Sequence, residues 1–265
     1  MKKAGARLQV KNVALKFGGI EALRSVSFEA APSELLALVG PNGAGKTAML
    51  NCINGIYRPQ GGEILLDGKG VAERPLCEMV GFGIGRAFQH AELFPHLTVM
   101  ENLLIGRHRS FQAGAFMSGL YFGPARSEEI EARRRIEAVI DFFEIYRYRN
   151  IPVGMLSYGV QKIVGVARAL AAEPKLLLLD EPSTGLIREE RENLARFILR
   201  IVHDIGPTIV WVEHDMQMVS ELADRVVVLN HGLKIADGPP QEIVNLDEVV
   251  VAYLGQAPDQ IVELR

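Results

Sequence analysis

The chain has 265 residues, 48% of them hydrophobic and 23% charged, with a formal net charge of -3. That is an ordinary globular balance, long enough for one large domain or a core with an inserted lobe, and it gives no whole-molecule attraction to nucleic acid. Met1-Lys2-Lys3 leads into no apolar leader core, and no apolar run approaches the ~18 residues of a membrane-spanning helix, so work at a membrane would need a partner. The two cysteines, Cys52 and Cys77, have no metal-ligand or redox spacing; Cys52 reads as a small buried residue in a helix.

In chain order, Leu8, Val10, Val13, Leu15 and Phe17 alternate, and Val26 and Phe28 continue the pattern after Gly18-Gly19, which predicts paired strands. The apolar run 35–39 then enters Gly40-Pro41-Asn42-Gly43-Ala44-Gly45-Lys46-Thr47, with Ala48 next. A buried strand, a glycine-rich turn and a helix in that order make a phosphate-binding loop. Glycines let the backbone wrap a phosphate chain with its N–H groups inward. Lys46 supplies a compact cation for the β- and γ-phosphates, the Thr47 hydroxyl a ligand for Mg²⁺, and the helix from Lys46 its positive end. These residues imply a nucleoside triphosphate, ATP by the resemblance described below, with Mg²⁺.

The helix is expected to run from Lys46 to Asn54 and close at Gly55, and residues 61–68 read as a strand ending in the Asp67-Gly68 turn. Between 89 and 159 no buried parallel strand is legible. A helix is expected from Ser127, as N-cap, to Ile145, with Ala132, Ile136, Val139, Ile140 and Phe143 inward. Residues 107–149 carry eight arginines and six acids, read as a solvated helical lobe.

Lys175 to Glu181 is a buried strand ending in two carboxylates, where ligands bind in open α/β sheets. Asp180 would hold Mg²⁺, directly or through water, and Glu181 would take a proton from the attacking water. Arg188 to Ile205 reads as an amphipathic helix, residues 209–212 and 225–229 as buried strands, and Pro239-Pro240 as the start of a terminal helix carrying Ile243, Leu246, Val250 and Leu254 up to Gly255.

Leu156-Ser157-Tyr158-Gly159-Val160-Gln161 lies between the phosphate loop and the acidic strand, at the head of a helix to about Ala172. With it the chain resembles the ATP-binding-cassette ATPases over nearly its whole length. The resemblance implies an α/β fold: a P-loop NTPase core with a mainly parallel sheet, an N-terminal antiparallel β subdomain and an inserted α-helical subdomain. It divides one ATPase domain, 1–265, into a core (1–88 and 160–237), a helical signature subdomain (89–159) and a C-terminal helix and tail (238–265). Phe17 matches the aromatic residue that stacks on adenine, and Gln89 the glutamine that senses Mg²⁺ and the attacking water. Residues 157–161 match the signature, and His214 the switch histidine that contacts the γ-phosphate.

In this family Ser157 and Gly159 meet the ATP held by a facing subunit, so a second ATPase subunit, identical or distinct, is implied. Transmembrane permease subunits are implied as well, one inserting a helix into the groove near 89–97, and a periplasmic solute-binding protein takes part indirectly. The setting would be the cytoplasmic face of the inner membrane, with no nucleic acid partner. Residues 16–19, 92–99, 106–126, 156–159 and 252–255 most resemble the longer ATPase of branched-chain amino acid-type importers; an exporter ATPase is the nearest alternative, and a soluble non-transport protein of the family a more distant one. Two departures stand out: Val160 where the signature usually has glutamine, and Ile187 where the dimer-crossing loop usually has Asp or Asn. Isoleucine cannot make that hydrogen bond, so altered or asymmetric communication between sites is expected.

Overall fold

The structure is a computed structural model that describes residues 5–71, 74–89, 92–107 and 124–254. Strands β1 (Leu8–Phe17) and β2 (Ile20–Ala30) form the expected hairpin, with Phe17 opposite Ile20 across Gly18-Gly19. Strand β3 (Leu35–Val39) runs into the glycine loop and helix α1 (Lys46–Ile53). Strands β4 (Gly61–Leu66) and β5 (Lys69–Gly70) turn at Asp67 and Gly68, both at positive φ, as a two-residue hairpin requires. These strands make an antiparallel sheet in the order β2-β1-β4-β5.

A short helix α2 (Met79–Phe82) precedes strand β6 (Ile84–Ala87); then come helices α3 (Val99–Gly106), α4 (Pro124–Phe142) and α5 (Tyr158–Ala171). Strand β7 (Leu176–Asp180), helix α6 (Arg188–Arg200), strand β8 (Thr208–Val212), helix α7 (Met216–Leu222) and strands β9 (Arg225–Asn230) and β10 (Leu233–Gly238) complete the core. The second sheet has the order β10-β9-β3-β8-β7-β6, parallel throughout except for the antiparallel edge pair β9–β10.

Both faces of this sheet are covered, which is why its central strands read as unbroken apolar runs. The pleat divides them. Leu35, Ala37, Leu177, Leu179, Ile209, Trp211, Val226 and Val228 pack against the helical side with Val164, Ala167, Phe197 and Ile198. Leu36, Leu38, Leu176, Leu178, Val210, Val212, Val227 and Leu229 pack with Met49, Leu50 and Ile53 of α1 and with the antiparallel sheet. Alternation hidden in the sequence thus separates two cores on opposite faces of one sheet.

Several sequence expectations need correction. Helix α4 begins at Pro124, where a missing N–H costs nothing, so Ser127 lies inside the helix and does not cap it. It ends before Glu144, whose φ of +58° leaves the helical region. The expected inner face is right: Ile136, Ile140 and Phe143 are buried. The terminal helix is two helices, α8 (Pro240–Ile243) and α9 (Asp247–Leu254). Asn245 Nδ2 donates to the Gln241 carbonyl at 2.9 Å, and Asp247 and Glu248 suit a fresh N-terminus, so the chain restarts there. Leu246, expected inward, is exposed, and Val249 is buried instead.

Helix α6 passes into a π turn, Ile201–Ile205, closed by Gly206. Strands β6 and β10 escape sequence reading because Gly85 and Arg86 interrupt one and Lys234 and Asp237 make the other resemble a loop. The arginines of the helical lobe are largely matched: Arg133 with Glu129, Arg135 with Glu131 and Glu173, Arg149 with Glu137. Residues 108–123 of the extra stretch, His90 and Gly255 lie outside the described residues.

Leu178 is fully buried at the centre of β7. Leu178→Ala is expected to lower stability by about 3 kcal/mol, read from urea unfolding followed by circular dichroism. A loss below about 1 kcal/mol would contradict the close packing described for this strand.

Candidate functional site: a phosphate loop facing two carboxylates

Gly40, Gly43 and Gly45 all have positive φ, which turns successive backbone groups of the loop inward. At Gly40 a Cβ would run into the Leu229 carbonyl, and at Gly45 it would lie 2.6 Å from the Ala22 carbonyl, so neither position accepts a side chain. Lys46 is buried at the N-terminus of α1, and its Nζ donates to the carbonyls of Gly40 (2.6 Å) and Pro41 (3.0 Å). Burial pushes the Lys46 ammonium below the usual lysine range, while Glu181 and Asp180 favour its charged form. Pro41 and Ala44 are buried beneath the loop, Asn42 and Thr47 are exposed, and Ala48 is half-buried.

Strand β7 delivers the carboxylates. Asp180 is buried, and its Oδ2 accepts a hydrogen bond from Arg86 Nη2 at 2.7 Å. Glu181 leaves the strand at a φ of +45°, a conformation that costs a non-glycine residue about 1–2 kcal/mol, with its N–H still donating to the Val212 carbonyl at 3.0 Å. Its two carboxylate oxygens are held from two directions. His214 Nε2 lies 2.5 Å from Oε1, and Gln89 Nε2 donates to Oε2 at 2.6 Å. Thr184 Oγ1 adds a bond to Oε2 at 3.3 Å. Residues from the ends of three neighbouring strands, β6, β7 and β8, thus converge on one carboxylate.

Two supports were not legible as site residues. Lys162, one turn into α5, donates to the Gln89 carbonyl (2.5 Å) and the Glu181 carbonyl (3.3 Å), tying α5 to the backbone of both residues. Glu213 is buried beside His214; its Oε1 accepts from Ser183 N–H (3.3 Å) and its Oε2 from His214 N–H (3.0 Å). Burial pushes the Glu213 carboxyl above the usual carboxylate range, opposed by those hydrogen bonds. A lysine five residues after the signature serine, and an acid immediately before the histidine, were the available signals.

The other expected residues stand apart from the cluster. Ser157 caps α5, its hydroxyl accepting from Val160 N–H at 3.4 Å, and among the described residues it makes no hydrogen bond to the glycine loop. Gly159 is buried against Glu190, whose carboxylate a Cβ there would strike. Glu190 also accepts from the Ile187 N–H at 3.3 Å, while the Ile187 side chain is 65% exposed. Phe17 is half-exposed at the hairpin tip and meets the Tyr57 ring edge-on, with centroids 5.0 Å apart.

The donor set suits a magnesium nucleotide. Among the described residues no group of three or more His, Cys, Asp and Glu could hold a metal by itself. Mg²⁺ commonly takes one or two protein oxygens and completes its shell with water and phosphate, which matches a lone hydroxyl at Thr47 and a lone carboxylate at Asp180. The cradle of glycines and the desolvated ammonium fit the polyphosphate.

Comparisons with known proteins identify the family. The ABC transporter family model matches residues 23–184. The high-affinity branched-chain amino acid transport ATP-binding protein LivG of Escherichia coli K12 is 38% identical over 251 residues, covering 94% of this chain and 98% of that protein. Its counterpart BraF of Pseudomonas aeruginosa is 36% identical with the same coverage. Among solved structures, the ADP conformation of an ATP-binding cassette from an ABC transporter superposes with a TM-score of 0.83 at 27% identity, covering 95% of this chain and 99% of that one. A dimeric cassette in a post-hydrolysis state with ADP and Pi gives 0.74 at 26% identity, covering 88% and 98%. The chain belongs to the ABC transporter family, as an ATP-binding cassette with ATPase activity.

Proposed function

We propose that this chain is the ATP-hydrolysing subunit of an importer for an amino acid of the branched-chain type or a related small organic solute. The observation that carries the ATPase mechanism is the convergence of His214 and Gln89 on Glu181 at the end of β7. Residues 40–48 and Phe17 would hold ATP, and Thr47, Gln89 and Asp180 would attend Mg²⁺, which supplies charge neutralisation at the phosphates. Glu181 would accept the proton of the attacking water and Lys46 would stabilise charge on the phosphoryl oxygens. His214 would sense the γ-phosphate, which lies within reach only when nucleotide fills the loop.

Exposed Ser157 and Ile187 support an ATP-dependent pairing with a second ATPase subunit, whose nucleotide would meet Ser157 and the N-terminus of α5. Ile187 favours a distinct partner over a second copy. Among the described residues no helix is long and apolar enough to cross a membrane. The similarity to LivG and BraF supports a subunit docked to permeases at the cytoplasmic face of the inner membrane, with a periplasmic binding protein acting indirectly. Near-complete coverage of LivG and BraF favours import of an amino acid over export.

Affinity capture of the tagged protein from detergent-solubilised membranes is expected to recover two permeases and a shorter ATPase; a pool bound to ribosomes or nucleic acid without permeases would overturn the transport reading. Separately, Glu181→Gln is expected to slow hydrolysis at least ~10²-fold, about 2.7 kcal/mol of barrier, with ATP binding retained. Near-normal turnover would remove Glu181 as the base.

A further inference from the structure

Arg86 occupies a position that the ATPase reading leaves unused. It sits in β6, three residues before Gln89, and its side chain is only 4% exposed. Its guanidinium makes two bonds to two different elements: Nη2 donates to Asp180 Oδ2 at 2.7 Å, and Nη1 to Asn51 Oδ1 at 2.5 Å in α1. The Phe88 ring lies 4.6 Å from Cζ, and Nε is buried with no partner among the described residues. A guanidinium this buried with one donor unmet is costly, and it remains only because the other two bonds over-determine its place.

We propose that Arg86 is a positioning residue for the Mg²⁺ of the nucleotide site. It fixes Asp180 through one carboxylate oxygen, leaving Oδ1 for the Mg²⁺ shell, and locks that carboxylate to the phosphate-loop helix through Asn51. This rests on the reading of Asp180 as a Mg²⁺-directed group. Without that hydrogen bond the Asp180 carboxylate would be free to rotate, and a misoriented oxygen would serve a cation poorly. Arginine does this where lysine cannot, because a planar fork reaches Asn51 and Asp180 at once, whereas an ammonium on a shorter stem offers no such fixed pair of directions. The same clamp joins β6, β7 and α1, so the strand that presents Gln89 is held to the strand that presents Glu181 and to the helix that presents Lys46.

The quantity to measure is the Mg²⁺ enhancement of nucleotide affinity: the ratio of ATP dissociation constants in EDTA and in excess Mg²⁺, from titration with a fluorescent ATP analogue. Arg86→Met is expected to lower that enhancement about 10-fold, the scale typical of losing a group that orients a metal ligand, with affinity in EDTA nearly unchanged. Arg86→Lys and Asn51→Ala, which keep a cation or keep the pair with Asp180, are expected to fold normally and to fall between Arg86→Met and wild type. Thermal unfolding of each variant identifies any that does not fold, and the other variants then decide the question. An enhancement unchanged or increased in the folded Arg86 and Asn51 variants would overturn the proposal, as would an equal loss of affinity with and without Mg²⁺. Asp180→Asn in the same assay separates the two readings: if it leaves the enhancement intact, Asp180 does not serve Mg²⁺ and the underlying reading fails, whatever Arg86 does.

Discussion

Strand β7 sets four fully buried leucines directly before Asp180 and Glu181, so the packing of the sheet determines where both carboxylates emerge. Leu177 and Leu179 are gripped from the helical side and Leu176 and Leu178 from the side of α1, which leaves the strand no freedom to slide. A one-residue slip would exchange the two cores and swing Glu181 to the wrong face. The neighbours in the sheet, β6 and β8, are fixed by the same parallel register, with Ala87 opposite Leu179 and Asp180 opposite Val212. Gln89 and His214 follow those strands within two residues, so their convergence on Glu181 is a consequence of strand register more than of loop conformation.

Each charged group around this point has a polar partner. Asp180 answers Arg86, His214 and Gln89 share Glu181, and Lys46 lies over two loop carbonyls within the field of both acids. A triphosphate entering such a site would find the glycine loop, a helix N-terminus and an ammonium already desolvated, whose Nζ would exchange the Gly40 and Pro41 carbonyls for phosphate oxygens. Lys162 gives the arrangement a mechanical side. It reaches from α5 to the backbone of Gln89 and Glu181, so a shift of α5 would act on the two residues that would handle the attacking water.

How legible this was depended on whether a feature is local. The phosphate loop, the leucine-acid strand and the turn at Asp67-Gly68 are set by neighbouring residues and could be read directly. Strand β6 could not, because its Gly85 and Arg86 make sense only once Asp180 and Asn51, distant in sequence, are beside it. Lys162 and Glu213 were hidden for the same reason: each acts on groups that the topology brings close. The false N-cap at Ser127 and the unbroken terminal helix arose where composition allowed two starts; Pro124 and the Asn245 side chain decided between them. Gly159 was legible as a signature residue, but its contact with Glu190, which also meets the Ile187 N–H, was not.

Everything else at this site depends on the glycine loop with Lys46 holding a triphosphate. Calorimetric titration of the purified protein with MgATP, wild type against Lys46→Ala, tests this most directly. The expected result is saturable one-to-one binding that weakens at least ~10-fold in the variant, since a desolvated ammonium on a phosphate contributes more than a solvent-exposed one. Equal affinity in the two folded proteins, or no binding to the wild type, would contradict the site as described.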